Sequence, residues 1–121
     1  MPEQVGIKKV GTTMAKELLS STSDALEFTS VTLAGGSNAT YPMGRTLKDG
    51  TDGLKVVYTN ADVSPTGVCI LAEDVVTTTE SGNVTTFALI KGNVKTSMVK
   101  DATGALADAA FKALMPMVRF E

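Results

Sequence analysis

Thr66-Gly67-Val68-Cys69-Ile70-Leu71-Ala72-Glu73-Asp74-Val75-Val76 is the stretch that decides the fold. Within it Val68, Cys69, Ile70, Leu71 and Ala72 form an unbroken apolar run, opened by Pro65 and Gly67 and closed by Glu73-Asp74. That run is too short for a stable helix and carries β-branched residues, so it reads as a strand buried on both faces. A small domain holds few such strands, and this one is expected at the centre of the core.

Working outward, Val75 to Thr79 and Val84 to Ile90 flank Glu80-Ser81-Gly82-Asn83, which has the length and glycine content of a hairpin loop. Lys91-Gly92 then predicts a turn into a further strand over 93–99, with Val94, Thr96 and Met98 inward and Asn93, Lys95 and Ser97 outward. On the other side, Lys55 to Thr59 is a short strand that the loop from Asn60 to Thr66 joins to the central run. Asp49-Gly50 and Asp52-Gly53 mark tight turns, because glycine takes positive φ without a Cβ clash. Phe28, Val31 and Leu33 alternate with polar residues until Gly35-Gly36 stops them. Near the end, Leu106, Ala110, Ala113 and Leu114 recur at helical spacing, with Asp108 and Lys112 as an i, i+4 pair, until Pro116. Phe111 lies off that narrow stripe, so the helix is expected to bury a broad face against the sheet or a neighbouring subunit. Met117 to Phe120 can add a terminal strand.

The expected fold is mainly β: a compact antiparallel β-rich, small barrel-like domain built as a meander, with one short C-terminal helix and an extended N-terminal arm. Residues 28–121 make the single domain. Residues 1–27 make the arm, where Val5, Gly6, Ile7, Lys8, Lys9, Val10, Leu18 and Leu19 supply apolar and basic contacts but no closed element. Such a segment is expected to stay flexible until it meets a surface.

The 121 residues suffice for one core without metal or disulfide staples. A net charge of -2 and scattered lysines give no footprint for nucleic acid, and no window approaches a membrane span. Neither partner is expected. The single cysteine, Cys69, lies inside the apolar run and reads as a small buried hydrophobe. With no histidine, a serine or cysteine nucleophile lacks its usual base. Glu73, Asp74 and Glu80, or Asp49 and Asp52, are the carboxylates close enough in sequence to hold a hard cation, but the Asp49 to Gly53 stretch lacks the ligand spacing and closing glutamate of a calcium loop, and Glu73-Asp74 marks the solvated end of a strand. No catalytic residue, cofactor or metal is expected, and no enzyme activity.

Four stretches carry a resemblance: Gly44-Arg45-Thr46-Leu47, Gly67 to Val75, Lys91-Gly92-Asn93-Val94, and the alanine-rich segment from Ala105 to Phe120. In order and spacing, with a polar arm in front, they resemble the lambda-type bacteriophage head decoration proteins. The resemblance runs from about Leu33 to Phe120. It implies a homotrimer on the threefold positions of an expanded icosahedral capsid, bound to the major capsid protein through the arm. It also implies a location on the outer surface of the virion, after synthesis in the host cytoplasm, and a cementing role without catalysis. The alternative from the residues themselves is a small β-barrel binding module that recognises a protein strand or a carbohydrate. Six aromatic residues in the whole chain supply few anchors for such a pocket.

Overall fold

A computed structural model describes residues 26–60 and 62–121. The strands are β1 (Glu27–Leu33), β2 (Ala39–Tyr41), β3 (Thr46–Asp49), β4 (Lys55–Val57), β5 (Cys69–Leu71), β6 (Val75–Thr77), β7 (Val84–Val94) and β8 (Val118–Phe120), and the helix is α1 (Ala109–Ala113). Strands β1, β4, β3, β5 and β7 pair in that order, and β7 returns to β1, so five strands close a barrel. The fold is mainly β, barrel-like and largely antiparallel, as the sequence predicts. Its parallel contacts are β1 with β4 and β7 with β8. Strands β2 and β6 form a separate two-stranded ribbon.

Strand β5 is buried on both faces because its alternate side chains enter two cores. Cys69 and Leu71 join Val31, Leu33, Leu47, Val75 and Ala88 inside the barrel. Ile70 and Ala72 face the other way, into a cluster with Tyr58, Leu89, Val94, Val99, Phe111, Met115 and Val118. The segment after β7 therefore acts as a cover for the outer face of β5 and β7. Val68, the first residue of the apolar run, is only half-buried and packs at the edge of this outer core. Burial on both sides is what a continuous apolar run requires.

The meander is not formed. Strand β6 pairs with β2, with Thr77 opposite Ala39, while β7 runs beside β1 over seven paired positions. The stretch between them folds on itself: Ser81 N–H donates to Thr78 O at 3.2 Å, and the Thr78 N–H donates to Ser81 Oγ at 3.0 Å. It then docks on the turn after β1, where Gly36 N–H reaches Ser81 O at 3.1 Å and Gly35 N–H reaches Asn83 Oδ1 at 3.1 Å. A Cβ on Gly35 would lie 2.1 Å from Gly82 O, so only glycine admits this approach. The longer partner, β1, wins β7.

Lys91-Gly92 is likewise no turn. Strand β7 continues through it, and Gly92 has φ 142 with Leu26 lying over it, where a Cβ would meet Leu26 Cδ2 at 2.5 Å. Glycine inside a strand here marks close packing, not chain reversal. The strand expected over 93–99 stops at Val94 because Thr96–Met98 turns into a 3₁₀ segment, and Thr96 and Met98 are half-buried instead of inward.

Helix α1 is shorter than expected and buries the opposite face. Leu106 and Leu114 are 51% and 45% exposed, Ala110 and Ala113 are exposed, and Phe111 is fully buried. Ala107, Phe111 and Met115, spaced i, i+4, i+8, are the true inner face. The Phe111 ring lies 5.0 Å from that of Tyr58, a larger contact than a leucine offers at that position. Asp108 does not act as the partner of Lys112: it caps the helix, accepting from Phe111 N–H at 2.9 Å, while Lys112 Nζ lies 5.6 Å from the Phe120 ring centroid. The terminal strand forms as expected, in parallel with Gly92 to Val94.

The arm residues Val5, Gly6, Ile7, Lys8, Lys9, Val10, Leu18 and Leu19 lie outside the described residues. The last two positions of the expected arm belong to the body: Leu26 packs on the outer core and Glu27 opens β1.

Candidate functional site

One concave site is built from Gly44-Arg45 and the residues facing it. Gly44, at φ 92, turns the chain so that Arg45 N–H donates to Pro42 O at 3.2 Å. The same residues extend the β3–β5 pairing, with Gly44 N–H to Leu71 O at 2.8 Å and Leu71 N–H to Arg45 O at 2.9 Å. On their other side Thr46 N–H donates to Lys100 O at 2.9 Å, and Lys100 N–H to Gly44 O at 3.1 Å. Where residues 42–45 meet the Lys100 segment lies a cleft of about 230 Å³, lined by Pro42, Met43, Gly44, Arg45, Met98 and Lys100. Small-molecule sites occupy roughly 300–1,000 Å³, so this cleft is sized for a single inserted side chain and not for a cofactor.

Behind the cleft sits a buried polar network. Arg45 Nη1 donates to the Asp101 carbonyl. The Asp101 carboxylate, 1% exposed, accepts from Asn60 N–H at 2.9 Å, Thr103 N–H at 2.9 Å, Thr103 Oγ1 at 2.6 Å and Ala105 N–H at 3.1 Å. Burial opposes its charge, but the Thr103 hydroxyl and the backbone donors outweigh that opposition and hold the carboxyl below the usual aspartate range. A carboxylate so occupied is a structural staple and a poor base. Next to it the Tyr58 hydroxyl donates to Asp108 Oδ1 at 3.2 Å; burial first, then the Asp108 charge, pushes the phenol up.

Of the carboxylates close in sequence, Asp49 and Asp74 are engaged by donors from elsewhere in the chain. Asp49 accepts from Lys55 Nζ at 2.5 Å and Thr66 Oγ1 at 3.0 Å, and the Lys55 hydrogen bond leads in holding its carboxyl low. Asp52 lies in the turn with φ 55, and Asp74 Oδ1 accepts from Met43 N–H at 2.7 Å. Among the described residues no group of three acids or cysteines could hold a metal ion, and no helix is long and apolar enough to cross a membrane. Cys69 is 2% exposed, and burial pushes its thiol up to about 11, which makes it a packing residue.

Sequence reasoning picked out Gly44-Arg45 but missed its partners. Met98 and Lys100 lie more than fifty positions later in the chain, and no local period ties them to Arg45. The Asp108 cap did have a signal, an aspartate directly before Ala109-Ala110-Phe111. No protein-family model matches the chain, and no curated protein matches it.

Proposed function

We propose that this protein is a non-catalytic viral structural subunit of the phage head decoration type, which binds the outside of the expanded capsid as a trimer and cements it against internal DNA pressure. One observation carries the reading: the four stretches on which the resemblance rests pack around a single strand. Gly44 to Leu47 is hydrogen-bonded to β5, Lys91 to Val94 belongs to β7 beside it, and the segment from Ala105 to Phe120 covers the outer face of both. The resemblance thus falls on residues of one packing unit and not on unconnected surface loops.

The mechanism is adhesion by multiple weak contacts. The five barrel strands pair with one another and, among the described residues, leave open edges only at β8 and on the β2–β6 ribbon; in this reading it is the residues before β1 that add a strand to the capsid protein. Val5, Ile7 and Val10 there would supply apolar contact, and Lys8-Lys9 would suit an acidic shell surface. Three arms from one trimer multiply modest affinities, and binding restricted to the expanded lattice stabilises that lattice by mass action. The carbohydrate-module alternative is weakened because all six aromatics pack against the two cores: Phe28, Tyr58, Phe87, Phe111 and Phe120 on the outer one and Tyr41 on the inner one. Deleting residues 1–23 tests the proposal. The truncated protein should keep its β-rich circular dichroism and cooperative unfolding and lose co-sedimentation with shells. Undiminished binding by the truncated protein would refute the arm mechanism.

A further inference from the structure

The cleft beside Arg45 has a shape and a charge that the cementing mechanism does not use. Its apolar walls are Met43 and Met98, flexible thioether side chains that adapt to an incoming group. Its polar walls are cations. Arg45 gives one guanidinium donor to the Asp101 carbonyl, out of the five such a group carries. The ion pairs among the described residues, Lys48–Asp62, Lys55–Asp49 and Arg119–Glu121, engage neither Arg45 nor Lys100. Of the nearby acids, Asp74 Oδ1 accepts from Met43 N–H, and the Asp101 carboxylate accepts from the Asn60, Thr103 and Ala105 amides and the Thr103 hydroxyl. The walls are also preformed, since three backbone hydrogen bonds fix Gly44 and Arg45 between Leu71 and Lys100, and a fourth joins Thr46 to Lys100. A preformed pocket avoids part of the ordering cost of binding.

We propose that this cleft docks an acidic segment of a partner protein, with one aliphatic side chain inserted between Met43 and Met98 and a neighbouring carboxylate paired with Lys100 and Arg45. Size and lining support the first half: about 230 Å³ takes one side chain, and the Met43 and Met98 walls favour an apolar one. The charge supports the second half: Arg45 and Lys100 line the cleft and make no ion pair among the described residues, which favours a carboxylate over a neutral or basic neighbour. The inference concerns the chemistry of the cleft and stands apart from the decoration reading.

The test is a titration of the full chain, with methionine methyl groups observed by NMR, using short capped peptides. An acidic peptide with a central leucine should shift the Met43 and Met98 methyl signals and the Gly44 and Lys100 amides saturably, and added salt should weaken it. Lys100→Glu, an exposed side chain, should lower the affinity about tenfold with thermal unfolding unchanged, and Lys100→Gln should fall in between. Three outcomes would overturn the proposal: equal binding by the glutamine version of the peptide, the same shifts with inorganic phosphate alone, or no saturable shift at millimolar peptide. Capsid co-sedimentation of Lys100→Glu is measured in parallel. Peptide binding without capsid binding would count against the decoration reading alone, and capsid binding without peptide binding against the cleft alone.

Discussion

Replacing Asp101 by asparagine changes one atom at the most heavily hydrogen-bonded carboxylate among the described residues. The carboxylate accepts four hydrogen bonds, from Asn60, Ala105 and twice from Thr103. Asparagine can keep its oxygen toward Thr103 and Ala105, but its NH₂ then confronts the Asn60 N–H, donor against donor. One charge-assisted bond is lost, worth about 1.5–3 kcal/mol, and the others fall to neutral strength, for a total of about 3–5 kcal/mol. Against a stability of about 5–15 kcal/mol for a domain of this size, that loss is plain in a urea melt. The pH dependence has a defined sign. Because the folded carboxyl lies below the ordinary aspartate value of about 3.9, its contribution is complete above that value and is lost as pH falls through the folded pKa. Wild type and Asp101→Asn should therefore differ most at neutral pH and converge in acid. A difference under about 1 kcal/mol at pH 7, or one that does not change with pH, would refute the role given to this carboxylate.

The register of α1 predicts opposite outcomes for two neighbours: Phe111→Ala should cost about 3–5 kcal/mol, whereas Leu114→Ala should stay within about 0.5 kcal/mol, both by denaturant unfolding. Thr86 is 3% exposed with a hydroxyl that has no hydrogen-bond partner among the described residues, so Thr86→Val should raise stability by about 1–2 kcal/mol, read as a higher melting temperature. Cys69, its thiol pushed up to about 11 by burial, should resist an aromatic disulfide reagent at pH 8 in the native protein and react promptly in urea.

How much was legible in the sequence follows from how local each signal was. The run from Val68 to Ala72 announced a strand with two buried faces because five apolar residues in succession have no wet side. The turn at Asp49 to Gly53 was readable from its glycines, since the need for positive φ at Gly53 is a local demand. The partner of β7 was not readable, because β6 and β1 are both plausible strands and the choice rests on the approach of Gly35 to Gly82 across the fold. The same holds for Gly92, where a glycine that looks like a turn serves to admit Leu26. Leu106 and Leu114 misled the helix face because the shape of the receiving core, set by Tyr58, selects Phe111. The cleft was the least legible part, assembled by tertiary pairing of Arg45 with Lys100.

The proposed decoration role is tested most directly by sedimenting the 121-residue protein with empty phage capsid shells, expanded and unexpanded, alongside the solution mass of the protein alone. The account predicts saturable binding to expanded shells in equal copy number with the capsid subunit, little binding to unexpanded shells, and greater resistance of the decorated shells to heat. A protein that stays in the supernatant with expanded shells, at concentrations where it remains folded, would contradict the decoration role.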